Sequence, residues 1–345
     1  MAEQTIRIGF IGAGANTTAR HIPGFQAIDG VELISVSNRS AESSQRVADQ
    51  FGIPSVYENW MDLIEADDTD AICIGTWPYM HCIVTLAALE SGKHVLTEAR
   101  MAMNAAEARI MLEASLVDPD LVTQIVPAPH TLAVDDTIKE MIADGYLGEV
   151  LSVDLVAQGG FIDYDAPMHW RNDRDLSGFN MMAMGIWYEA MMRWVGPAAG
   201  VMAVTRVNVK SRKDEAGEAH FITVPDHAEI VCEMESGPVV HMRFSQVTGL
   251  PPADAVWLFG TEGTLKLDSS SMTLYGGRRG DDALSKIDIP AEKQGRWRVE
   301  EEFISAIRGN EKVTHTNFQD GVRYMEFTEA VARSAQSRKM VRLPL

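Results

Sequence analysis

Ile6-Arg7-Ile8-Gly9-Phe10-Ile11-Gly12-Ala13-Gly14 is an apolar run that stops abruptly at two glycines one residue apart. A helical stretch follows, from about Thr18 to Ala27. A short β-rich run, a glycine turn and a helix in that order form the strand–turn–helix unit that presents backbone N–H groups and a helix N-terminus to a phosphate. The third glycine of G-x-G-x-x-G is missing, because Thr17 stands there. Asn16, Thr17 and Thr18 add polar groups suited either to a phosphate or to capping the helix.

Working outward, the same alternation continues to Val126. Val31–Val36, Asp70–Gly75, His94–Thr97 and Leu121–Val126 read as short strands. Helical stretches over Ala41–Phe51, Met80–Glu90 and Ala105–Ser115 separate them, the first with Ser40 as N-cap. Alternating short strands and helices predict a doubly wound parallel sheet, a Rossmann-type α/β domain over residues 1–126. The pattern then changes. A helix over Ala133–Ala143 ends at Asp144-Gly145, and strands dominate from Val150. Turns at Glu235-Ser236-Gly237 and Thr261-Glu262-Gly263 predict antiparallel pairing. One long helix, Phe179–Trp194, interrupts the strands, and helices over Arg298–Arg308 and Asp320–Arg333 close the chain. Residues 127–345 therefore read as an α+β domain on an open, mainly antiparallel sheet with helices on one face. Its last helices are free to pack back on the first domain.

The 345 residues carry 49 acidic and 30 basic side chains, a net charge of −19 spread over both halves. Phosphate backbones demand basic patches, so nucleic acid is excluded as a partner, and an anionic membrane surface is a poor match. No uncharged run approaches a membrane span, and MAEQTIRIGFIG lacks the layout of a signal peptide. Cys73, Cys82 and Cys232 are odd in number and set in apolar runs, which predicts free thiols in a reduced, cytoplasmic setting. No H-E-x-x-H, paired CxxC or clustered His/Asp set predicts a metal site. Asp135-Asp136 and Glu300-Glu301-Glu302 read as solvated helix faces.

The second strand ends at Asn38-Arg39-Ser40. A dinucleotide fold that prefers NAD places a carboxylate here for the ribose 2′-hydroxyl, whereas an Arg accommodates a 2′-phosphate. Asn38, Arg39 and Ser40 thus favour NADP, with NAD as the alternative.

Five further segments carry a family resemblance. These are Thr76-Trp77-Pro78-Tyr79-Met80-His81, Ala88 through Glu98, Ile142 through Val150, His169-Trp170-Arg171-Asn172-Asp173 and Phe259 through Leu265. In that order and spacing the chain resembles the Gfo/Idh/MocA oxidoreductases along its whole length. The resemblance implies an N-terminal NAD(P)-binding domain that uses Thr76, Trp77, His81, Glu98 and Ala99. It also implies a small-molecule substrate, an alcohol, ketone or carbohydrate derivative, and a homodimer or homotetramer. Acid/base chemistry must accompany hydride transfer, since a proton leaves oxygen as hydride leaves carbon.

The family's proton-handling residues are replaced. Its Glu-Lys-Pro triplet reads Glu98-Ala99-Arg100, and its helix aspartate and histidine fall on Ala183 and Trp187. Candidates near the same places are His130, His169 and Tyr188 for the proton, with Arg100, Arg171 and Trp187 facing substrate. Each has a plain alternative as a turn cap, a ring partner or a core side chain. Trp77, Tyr79, Met80, Phe161, Met181, Met182, Met184, Trp187 and Tyr188 would make an unusually apolar cleft, although helix methionines are the commoner stuff of cores. Three accounts fit: an oxidoreductase with a substitute acid/base; a redox-neutral lyase, hydrolase or epimerase with tightly held nicotinamide; and a non-catalytic ligand sensor.

Overall fold

The computed structural model describes residues 5–345. The chain divides into two compact units, one made of the residues through Pro127 with Arg298–Val322, the other of Ala128–Trp297 with Arg323–Leu345.

In the first unit, β1 (Ile6–Ile11) is followed by a helix whose opening turn, Thr17–His21, is wound in the wide π form before it continues as α1 (Ile22–Gln26). Then come β2 (Val31–Ser37), α2 (Ala41–Phe51), β3 (Ser55–Val56), α3 (Trp60–Glu65), β4 (Ala71–Ile74), α4 (Pro78–Glu90), β5 (His94–Thr97), α5 (Ala105–Ser115) and β6 (Thr123–Ile125). The strands form one parallel sheet in the order β3-β2-β1-β4-β5-β6. Strand order reverses between β1 and β4, and at such a switch point the loops diverge to leave a crevice at the carboxyl edge. Ile8, Phe10, Ile72, Ile74, Val95 and Leu96 are fully buried, as a sheet covered on both faces requires. The short α3 and β3 were not expected from the sequence.

The second unit begins with α6 (Leu132–Ala143), β7 (Val150–Gln158) and the short α7 (Arg174–Ser177). The long helix, α8, spans Met184–Val195 and so starts five residues after the expected Phe179. Gly178 at φ 63° ends α7, and Met182 at φ 45° breaks the helical path that periodicity alone suggested. The strands β8 (Ala198–Arg206), β9 (Ser211–Lys213), β10 (Ala219–Phe221), β11 (His227–Met234), β12 (Val239–Ser245), β13 (Ala255–Gly260), β14 (Gly263–Asp268), β15 (Thr273–Arg278) and β16 (Ser285–Lys286) follow. Helices α9 (Val299–Ile307) and α10 (Phe318–Ser337) and the strand β17 (Val341–Arg342) complete the chain. Nine strands make one sheet, β16-β15-β14-β13-β7-β12-β11-β8-β17, in which β7 and β12 are parallel and the other neighbours antiparallel.

Residues on β11 alternate, Ile230 and Cys232 inward, Val231 and Glu233 outward. The outward face leaves Leu151, Met202, Val204, Val231 and Val239 exposed. Among the described residues no helix is long and apolar enough to cross a membrane.

Candidate active site

The glycine turn is where sequence and backbone geometry meet most tightly. Gly12 has φ 82°, and a β-carbon there would sit 2.7 Å from the Thr76 backbone nitrogen. Only glycine satisfies both constraints. Asn38, at the tip of β2, accepts a 2.6 Å hydrogen bond from Ala13 N–H and donates through Nδ2 to the Ser43 carbonyl and hydroxyl oxygens. The turn is thereby tied to the first turn of α2.

A cavity of about 730 Å³ opens over this turn at the carboxyl edge of β1, β2 and β4. Gly12, Gly14, Asn38, Arg39, Ser40, Thr76 and Trp77, all expected from the sequence, line it. The Arg39 guanidinium lies 5.9 Å from the centre of the Trp77 ring, within cation–π range. Ser43, Arg46, Glu42, Glu58, Asn59, Tyr79 and Met80 also line it. Ser43 and Arg46 are one helical turn apart on α2, which begins at the β2 tip, so helical spacing was the available signal for both. Arg46 Nη2 donates to Ser43 Oγ at 3.3 Å.

Other residues expected at the cofactor do not line this cavity. Thr17 is buried against Gly75, with its hydroxyl 3.4 Å from the Gly12 carbonyl oxygen. Thr18 Oγ1 donates to the carbonyls of Gly14 and Ala15. His81 is wholly buried, its nitrogens 2.9 Å from the Arg100 carbonyl and 3.0 Å from that of Thr76, and burial lowers its pKa. It braces the two loops and faces no open space.

Asn16, Glu98 and Ala99 belong to a second arrangement at the end of β5. Glu98 Oε1 accepts from Asn16 Nδ2 and from His21 Nε2, the latter at 3.0 Å. Its Oε2 accepts from Ala99 N–H at 3.3 Å. On its far side His21 Nδ1 is 2.5 Å from Glu300 Oε1 on α9. Burial acts to lower the His21 pKa, but the bonds to Glu300 and Glu98 overcome it and hold the imidazole at about 9. Burial acts to raise Glu98, and the His21 bond overcomes it, keeping this carboxyl below the usual range. Glu300 and Glu302 are buried, which corrects the reading of Glu300–Glu302 as a solvated face. Glu302 receives Gln124 Nε2, and of the run only Glu301 points outward.

In the second unit the proton candidates separate cleanly. Tyr188 is fully buried, its ring stacked 3.6 Å from that of Phe327, and its hydroxyl accepts from Ala198 N–H at 2.9 Å. Burial pushes the phenol far above its ordinary pKa. Tyr188 is a core residue, and its expected proton-moving role is corrected. His169 is exposed and caps its own turn, with Nδ1 accepting from Arg171 N–H at 3.2 Å and the ring 5.6 Å from Trp170. Arg171 is exposed over the same Trp170, and Arg100 is buried. Met181, Met184 and Trp187 are buried too, so most of the expected apolar cleft on α8 is packing.

His130 is half-buried, its ring centre 4.8 Å from that of Trp187. The backbone that carries it is clamped from α8: Ala128 N–H donates to Glu189 Oε1, and Arg193 donates to the Ala128 carbonyl and to Thr131 Oγ1. Arg193 also pairs with Asp135 and Glu189, and Asp135 accepts from Trp194 Nε1 at 2.7 Å. Asp135 is thus buried, contrary to the solvated face expected of it; Asp136 is exposed. Asp214, Glu218 and His220 bring ligand atoms within 4.8 Å on the β9–β10 hairpin. Asp214 already holds that turn through Ala216 N–H and Glu218 N–H.

Residues 6–116 match the family described as "Oxidoreductase family, NAD-binding Rossmann fold", and residues 136–266 match the GFO/IDH/MocA C-terminal domain. A dTDP-3,4-didehydro-2,6-dideoxy-alpha-D-glucose 3-reductase from Streptomyces antibioticus is 27% identical, covering 98% of this chain and 99% of its own. Levoglucosan dehydrogenase from Pseudarthrobacter phenanthrenivorans is 25% identical over 63% of this chain and 58% of its own. Among solved structures, a levoglucosan dehydrogenase in complex with NADH and L-sorbose superimposes with TM-score 0.86 at 21% identity, covering 99% of each chain. An oxidoreductase domain protein from Kribbella flavida does so with TM-score 0.86 at 23% identity, covering 99% of this chain and all of its own.

Proposed function

The chain belongs to the Gfo/Idh/MocA family of NAD(P)-dependent oxidoreductases, and from that premise we propose that it moves hydride between NADP(H) and a sugar-derived alcohol or ketone. The observation that carries the reading is the cavity over the glycine turn, with Gly12 and Gly14 on one side and Arg39, Ser40, Ser43 and Arg46 on the other. The residues fit the group. A β-carbon at position 12 would close the turn, and two guanidiniums with two hydroxyls stand where a 2′-phosphate needs charge-assisted donors. Asn38 is committed to Ala13 and Ser43 and offers no carboxylate to a ribose 2′-hydroxyl. This supports NADP over NAD, although Glu42 and Glu58 stand in the same lining.

His130 is the side chain assigned to the proton. Its loop is held by Glu189 and Arg193, which fixes the imidazole's backbone, and an imidazole can both give and take a proton. The sugar class of the substrate is supported by the names of the 3-reductase and of levoglucosan dehydrogenase. The exposed apolar residues on the outward sheet face support assembly with a second copy of the chain. The three cysteines, all free and buried, suit a cytoplasmic setting.

The test is native mass spectrometry for retained nicotinamide, then a panel of sugars and nucleotide sugars followed by nicotinamide absorbance. Stoichiometric change in NADPH is expected, and His130→Asn should lower turnover by about a hundredfold or more. Product without net change in the nicotinamide would move the reaction to a redox-neutral class. Failure of both NAD and NADP to bind at millimolar concentration overturns the reading.

A further inference from the structure

His21 lies at the centre of a buried chain of three ionisable groups, Glu98, His21 and Glu300, in which each ring nitrogen meets a carboxylate oxygen. A neutral imidazole has one N–H, so bonding two ionised carboxylates at once requires the imidazolium. Two carboxylates and one imidazolium leave a single negative charge. That charge is expressed at the accessible end of the chain, since the Glu98 side chain is 15% exposed and that of Glu300 4%. Glu98 is also immobilised. Asn16 and His21 both donate to Oε1, and Ala99 N–H donates to Oε2. A carboxylate with three donors from three directions is a poor proton carrier and a good fixed anion.

Its place in the fold gives the anion a use. Glu98 is the first residue past β5, on the half of the sheet beyond the switch point, where a doubly wound fold receives the second mononucleotide of a dinucleotide. The cavity over β1, β2 and β4 accounts for the other half. We propose that His21 and Asn16 are positioning residues that hold Glu98 as a fixed anion at the nicotinamide half of the site, so that the protein binds the oxidised, cationic coenzyme in preference to the reduced, neutral one. The proposal rests on the coenzyme reading above. Among the titratable neighbours, burial raises the Cys73 thiol on β4 and lowers His81 on α4, while Arg100, two residues along the chain, is a buried guanidinium.

The experiment is equilibrium binding of both coenzyme forms, by fluorescence for the reduced and calorimetry for the oxidised, to wild type, Glu98→Gln and His21→Gln. In wild type the oxidised form should bind more tightly, with a ratio that is flat from pH 6 to 8. Glu98→Gln should cut that ratio by about tenfold, the effect of one near charge in a partly screened site. His21→Gln removes the cation but keeps a donor. Its ratio should match or exceed wild type at pH 8 and fall toward pH 5.5, because Glu98 without an imidazolium takes up a proton more readily. Nitrogen-15 spectra of coenzyme-free wild type supply a second measurement, with both His21 nitrogens expected to be protonated at pH 7.5. An unchanged ratio in Glu98→Gln, or a singly protonated His21, overturns the proposal while leaving the coenzyme reading intact. Failure of wild type to bind either form overturns both.

Discussion

Thr17 is packed directly on Gly75: a β-carbon at position 75 would run into the Thr17 hydroxyl and the Gly12 carbonyl oxygen. The third glycine of a dinucleotide fingerprint exists to let the helix approach the sheet. Here the helix carries the larger residue, and the room comes from the loop after β4.

Gly75→Ala should therefore destabilise the chain by about 1–3 kcal/mol, the usual cost of overfilling a packed contact. Thr17→Gly in the same chain should recover part of that loss, because the clash with Gly12 remains. Urea unfolding of the two single variants and the double variant checks this. Losses of the two single variants that simply add in the double variant would mean that the two positions are not coupled.

Arg39→Asp should weaken NADP by about tenfold to a hundredfold and leave NAD within about threefold, since a 2′-phosphate loses a charge-assisted partner and a 2′-hydroxyl does not. Arg46→Ala should act in the same direction and more weakly, because Arg46 reaches the cavity from the next turn of α2. Titration calorimetry with each coenzyme at fixed ionic strength gives both ratios. Equal losses for NAD and NADP would show that neither guanidinium reads the phosphate.

Tyr188→Phe should cost about 1–3 kcal/mol of stability, because the Ala198 N–H is left buried without its acceptor while the stack on Phe327 survives. Turnover and its pH profile should be unchanged in protein that remains folded. A drop of about a hundredfold would return Tyr188 to the list of proton carriers.

What could be read from sequence is what is local in sequence. The positive φ at Gly12 and the cap at Ser40 are local and stand where spacing put them, whereas the Thr76 backbone that also demands glycine at position 12 is distant in sequence. The cavity residues Asn38 to Ser40 were legible because they follow a strand directly. Glu300 looked like one of three surface acids, and its partner His21 is 279 positions away. Asp135 likewise looked solvated until Trp194 and Arg193 came round on α8 to meet it. Tyr188 drew attention for its chemistry, but only packing against Phe327 and Ala198 says where its hydroxyl goes. Long-range polar pairing leaves no period in the chain.

The His21 chain also predicts a signed dependence of stability on pH. Folding raises this imidazole from an ordinary value near 6.5 to about 9. A group raised by folding contributes stability in full below its unfolded pKa and loses it as pH climbs through the folded one. The contribution of His21 should thus be intact at pH 6 and fade toward pH 9, with a ceiling of roughly 3 kcal/mol from a shift of this size. Glu98 supplies the opposite limb. Its pKa is lowered by folding, so its contribution is present above the ordinary carboxylate range and is lost as pH falls through the depressed value. Because the two limbs share the His21–Glu98 bond, they are not to be summed. Urea unfolding of wild type and His21→Gln at pH 6, 7.5 and 9 separates this from the background titration of the chain. The gap between the two proteins should be widest at pH 6 and narrow toward pH 9, where about half of the wild-type imidazole has lost its proton. Curves that fall in parallel would mean that no imidazolium lies between Glu98 and Glu300.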